Sequence, residues 1–193
     1  PDRFAGCVRL TEWLRLLVPR YRVFFATTGN AREEPYRGNL RKLGVIPLSL
    51  PCYTPRELSR FFTTLPLSAI VLVNYATAKI WIPILRRLFP ESRLIVDSAD
   101  LAFLRHRRRA RLVPAARRPA FQARARKIRA EEWQTYRQAD AVTLSTPSEA
   151  ALLARGGLDT PCFTIPLLQP IPPFPPPCPT EDLLFVGNFS HPP

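Results

Sequence analysis

The chain has 193 residues, 46% of them apolar, which is enough for one well-filled core of the usual size of roughly 150 residues and a short remainder. Its formal net charge is +13, yet ten arginines and one lysine without a single acid lie between Leu101 and Ala130, and the rest of the chain carries only +2. No apolar run reaches the roughly 18 to 20 residues that span a bilayer, and four dispersed cysteines with two histidines suggest neither a disulfide framework nor a metal site, so a cytoplasmic protein is expected.

The elements alternate. Leu10, Trp13, Leu14, Leu17 and Val18 recur at helical spacing and Pro19 ends the first helix. Arg22–Thr27 reads as a strand. A helix over Tyr36–Leu43 stops at Gly44, and Val45–Leu50 is a strand whose Pro47 marks an edge or an irregularity. Thr54-Pro-Arg-Glu57 is a capping box ahead of the apolar stripe Leu58, Phe61, Phe62 and Leu65. Ala69–Val73 is a continuous apolar strand of the kind buried on both faces of a parallel sheet. Ile80, Trp81, Ile84, Leu85 and Leu88 mark a helix, with Pro83 in its first turn or at a kink, and Arg93–Asp97 is the next strand. A helix spans about Ala120 to Ala139. Ala141–Ser145 is a strand, a second capping box at Thr146-Pro-Ser-Glu149 opens a helix closed by Gly156-Gly157, and Phe163–Ile165 is a last short strand. Strands separated by helices need right-handed crossovers, which predicts an α/β fold with a doubly wound, mostly parallel sheet.

From Pro166 to Pro179 eight of fourteen residues are proline, the composition of an extended linker. The expected division is therefore a domain over 1–165, a linker over 166–182 and, from 183 to 193, the first strand and glycine loop of a second domain. A chain that starts at Pro1, lacks methionine and stops after one strand reads as truncated at both ends, with the first strand of the first domain missing.

In such a sheet, ligands gather outside the carboxyl ends of the strands, where strand order reverses. Three strands end in polar groups: Asn74-Tyr75, Asp97-Ser-Ala-Asp100 and Ser145-Thr146. Carboxylates there suit sugar hydroxyls or proton transfer. Alternatively Asp100 caps a helix through Leu101–Arg105 and Asp97 is a turn residue, while Ser145 and Glu149 are explained by capping. Pro1–Gly6 feeds a helix N-terminus, a natural anion site. Neither G-x-G-x-x-G nor a P-loop occurs. The arginine-rich 105–129 segment has two readings: a patch for anionic lipid, a nucleotide-linked sugar or nucleic acid, or a solvated loop with the exposed face of a helix.

Asp2-Arg3-Phe-Ala-Gly6-Cys-Val-Arg9-Leu10, Asp97-Ser-Ala-Asp100-Leu-Ala-Phe103-Leu-Arg105, Ala139-Asp140-Ala-Val142 with Ser145, and Leu184-Phe-Val-Gly187-Asn-Phe189-Ser-His191-Pro-Pro193 together resemble bacterial family 4 glycosyltransferases. The resemblance implies a GT-B architecture of two Rossmann-like domains, this chain giving the N-terminal half. It also implies transfer with retention of configuration from a nucleotide-sugar donor, which is a substrate, to a glycan or lipid-linked acceptor, with neither cofactor nor metal. On that basis Asp2, Arg3 and Gly6, with Gly187, Asn188 and Phe189 of the second domain, bind the donor, and Asp97 and Asp100 lie on the acceptor side; by their strand-end positions Asp97 and Asp100 are the candidate catalytic carboxylates and Asn74, Tyr75 and Ser145 the candidate acceptor contacts. The family's remaining donor-site carboxylates lie in the other domain, so these residues alone are expected to be inactive. Segment 105–129 would then rest on an anionic membrane, and the competing function is a basic nucleic-acid-binding α/β module using that segment.

Overall fold

A computed structural model of the chain describes residues 5–26, 34–48, 60 and 67–166. The chain divides into two compact units, Pro1–Asp100 with Glu132–Gln169, and Leu101–Glu131 with Pro170–Pro193.

The first unit contains α1 (Ala5–Leu17), β1 (Phe24–Ala26), α2 (Glu34–Lys42), β2 (Ile46–Leu48), β3 (Ala69–Val73), α3 (Tyr75–Leu88), β4 (Arg93–Ser98), β5 (Ala141–Leu144), α6 (Pro147–Arg155) and β6 (Cys162–Thr164). Among the described residues all the strand pairs are parallel. The strands form two sheets among the described residues, β1-β2 and β3-β4-β5-β6, and the expected mostly parallel pairing is present in both. Within the larger sheet the order runs one way with no reversal. The result is an α/β fold of parallel strands, compatible with a Rossmann-like one.

Each sheet has its own reason to fold. Leu14 of α1 and Leu40 of α2 meet Val45 in a buried cluster, with Leu10, Val18, Val23, Phe25 and Leu43 packed against it. Around the larger sheet, Leu72, Leu94, Val96, Val142 and Leu144 are buried together with Ala78, Ile82 and Leu85 of α3 and Leu153 of α6. α3 packs on β3 and β4, and α6 on β5 and β6. Each such large aliphatic side chain contributes roughly 1.5–3 kcal/mol when fully buried.

Local chemistry sets the helix ends. Thr146 is the N-cap of α6, its hydroxyl accepting from the Glu149 N–H at 3.3 Å, as its capping box predicts. Gly157, at φ 75°, takes the left-handed position after α6, where its N–H reaches the Ala154 carbonyl and the Leu158 N–H reaches that of Leu153. That is a Schellman motif, and Gly44 at φ 85° closes α2 in the same way. Pro83 lies in the middle of α3, since the helix begins at Tyr75 and not near Ile80.

β3 departs from expectation. It is an edge strand among the described residues, and only Leu72 is buried, with Val71 and Val73 38% and 37% exposed. An apolar run specifies a strand, but its place in the sheet decides whether both faces are covered.

The second unit contributes α4 (Ala102–Leu112), a 3-10 turn over Ala115–Arg117 and most of α5 (Arg118–Tyr136), which continues into the first unit. The basic stretch is thus largely helical, where a loop was one reading. The helix N-cap is Leu101, with no side-chain cap, so Asp100 does not cap α4. The helix expected behind Thr54, the linker beyond Pro166 and the segment 183–193 lie outside the described residues.

Candidate functional site at the carboxyl ends of the strands

Register assembles the site. Val73, Asp97, Thr143 and Phe163 form one row across the four strands, two residues or fewer from their carboxyl ends. Side chains at one level of neighbouring strands share a face, so Asp97 and Thr143 lie side by side, and the Thr143 hydroxyl donates to Asp97 Oδ1 at 2.6 Å.

The other Asp97 oxygen is held from α1. Arg9 donates through Nη1 to Asp97 Oδ2 at 2.5 Å and through Nη2 to the Ile165 carbonyl at 3.3 Å, which follows β6. The two side chains are 3% and 4% exposed. The guanidinium also lies over the Trp13 ring, 5.1 Å from its centroid. One buried cation thereby ties the first helix to β4 and to the end of β6. Arg9 is the residue sequence reasoning missed as a site component. The available signal was Trp13 four positions on, together with a strand-end aspartate that needs a countercharge once buried.

Ser98 points to the opposite face of β4. Its hydroxyl is 2.8 Å from that of Tyr136, which donates to Glu132 at 3.1 Å, and it also donates to the Asp100 carbonyl at 3.0 Å. Glu132 and Tyr136 have no exposed surface. Burial, reinforced by the neighbouring Glu132 charge, pushes the Tyr136 phenol far above its ordinary range, so it stays a proton donor at all ordinary pH. Arg9 and Tyr136 therefore approach opposite faces of one strand.

The predicted residues occupy distinct positions. Asp97 is a buried clamp with both oxygens engaged. Asp100 is exposed, just beyond the strand end. Ser145 donates to the Ala99 carbonyl at 2.7 Å and so fastens the loop that carries Asp100 to the end of β5. Asn74, at φ 65°, is the N-cap of α3, its Oδ1 accepting from the Thr77 N–H at 2.9 Å while its own N–H reaches the Asp97 carbonyl at 2.9 Å. Tyr75 opens that helix and is half-buried. Strand pairing thus brings Asn74, Asp97, Asp100 and Ser145 to one end of the sheet.

Gly6 falls in the first turn of α1, not in a loop before it. Asp2, Arg3, Gly187, Asn188 and Phe189 lie outside the described residues. A shallow groove between α1 and α2, lined by Val8, Thr11, Arg15, Asn39, Lys42 and Leu43, includes none of the predicted groups. Among the described residues no cluster of potential metal ligands occurs, and no helix is long and apolar enough to cross a membrane.

The arrangement offers hydroxyl, amide and carboxylate groups at the open ends of parallel strands, over a buried ion pair that fixes their backbone. No family model, no curated protein and no solved structure matches this chain.

Proposed function

We propose that this chain is the acceptor-side α/β domain of a retaining GT-B glycosyltransferase, serving transfer from a nucleotide sugar to a glycan or lipid-linked acceptor. The observation that supports it is the convergence of Asn74, Asp100 and Ser145 at the carboxyl ends of a parallel sheet, with the Arg9–Asp97 pair beneath them. The motif resemblance adds support, since it implies an acceptor-side position for Asp97 and Asp100. Asp100 is the group assigned to an acceptor hydroxyl, because its residue is exposed while Asp97 is buried. Asp97 acts as a positioning residue, holding β4, β5 and α1 in one arrangement. The cleft principle is alignment of two substrates before transfer.

Ligand-observed NMR against neutral and anionic oligosaccharides tests the reading. Saturation transfer to a saccharide, lost in Asp100→Asn with the fold retained by circular dichroism, is the expected result. No transfer to any saccharide at millimolar concentration, or equal transfer by the variant, overturns it.

A further inference from the structure

We infer that the surface formed by α4, the following 3-10 turn and the first turns of α5 docks on an anionic lipid bilayer. All eleven cations of this stretch, Arg105 to Arg129, are exposed, and no acid lies among them in sequence. Among the described residues Arg107, Arg108, Arg111, Arg124 and Arg126 have no ion-pair partner. A helix pair with this charge gathers a counterion atmosphere that an anionic surface releases on contact.

Two features select a bilayer over nucleic acid. The aromatic rings of the stretch are turned away from a flat partner: Phe103 is 4% exposed and Phe121 half-buried, with the guanidinium groups of Arg107 and Arg109 over them at 6.0 and 5.6 Å. No stacking platform for bases is presented. The large apolar side chain that does protrude is aliphatic. Leu112 is 69% exposed and stands three, four and seven positions after Arg109, Arg108 and Arg105, on their side of the helix. A lone aliphatic tip ringed by guanidinium groups matches the boundary between phosphate headgroups and acyl chains, while the groove of a duplex has no use for it. The contact is electrostatic first, with one shallow insertion.

Vesicle flotation with the full chain is the test, using phosphatidylcholine vesicles, vesicles containing phosphatidylglycerol, and duplex and single-stranded DNA as competitors. The chain is expected to float only with the anionic vesicles and to be released by salt. Replacing Arg107, Arg108 and Arg111 by Glu is expected to weaken partitioning by at least about a hundredfold, since each cation near such a surface contributes a factor of roughly five. Leu112→Ser is expected to weaken it several-fold without changing the salt dependence, and circular dichroism confirms that these exposed positions leave the fold intact. Binding to phosphatidylcholine alone, displacement by either DNA at equal phosphate concentration, or indifference to the three charge reversals overturns the inference.

Discussion

The Arg9–Asp97 pair is the sharpest quantitative handle on the fold. Replacing Arg9 by Met leaves the Asp97 carboxylate 4% exposed, with only the Thr143 hydroxyl to satisfy it, and strips the Ile165 carbonyl of a donor. Breaking a buried pair from one side costs about 3–5 kcal/mol, because the stranded charge has already lost its water. Losing the stacking of Arg9 on Trp13 adds roughly 0.5–2 kcal/mol. Asp97→Leu strands the guanidinium instead, and also leaves the Thr143 hydroxyl without its acceptor at about 1 kcal/mol. The double variant Arg9→Met/Asp97→Leu removes both charges together and is expected to cost less than either single change, under about 2 kcal/mol. Urea unfolding of the four proteins measures this as a shift in midpoint at constant slope. Single variants within about 1 kcal/mol of the parent, or a double variant equal to the sum of the singles, would refute the claim that the pair is buried and coupled.

Three further predictions concern other parts of the molecule. A methyl group on Gly156 would lie 2.4 Å from the Trp133 ring, whose indole N–H donates to the Gly156 carbonyl at 3.0 Å; Gly156→Ala is expected to destabilise by about 1–3 kcal/mol, and an unchanged urea midpoint contradicts that contact. Burial, with Arg124, Arg105 and Arg109 adding to it, holds the His106 imidazole below its ordinary 6.5. The folded chain therefore binds fewer protons than the unfolded one, so stability is full above about pH 6.5 and declines as pH falls below it; an NMR titration midpoint at or above 6.5 would negate the sign. Val71→Lys on β3, an edge strand among the described residues, is expected to reduce concentration-dependent association, read by light scattering, with less than about 0.5 kcal/mol change in stability.

What was legible followed local rules. The apolar runs at Arg93–Ser98 and Ala141–Leu144 and the Thr146 capping box became strands and a helix within a residue or two of expectation. What was not legible depends on partners distant in sequence. The Arg9 contact spans 88 residues, and although Trp13 marks Arg9 locally, only the fold selects Asp97 as its acceptor. The exposure of β3 depends on its position in the sheet, which its own composition does not encode. α4 carries five arginines on eleven residues and starts at a leucine without a side-chain cap, so neither apolar periodicity nor a stop-and-start signal marked it as a helix. Asn74 looked like a ligand group at a strand end, and the structure also uses it to turn the chain at positive φ and to start α3.

Ten of the eleven cations between Leu101 and Ala130 are arginine, and only Lys127 is an amine. Guanidinium groups keep their proton at every pH a protein survives, so the charge of this face is a constant of the molecule rather than a variable. Lysine acetylation can remove only one of its charges, and amine-reactive labels report on a single position within it. Any change in what this surface attracts as pH falls must therefore originate in His106, whose imidazole is held below its ordinary value, or in the titration of the partner.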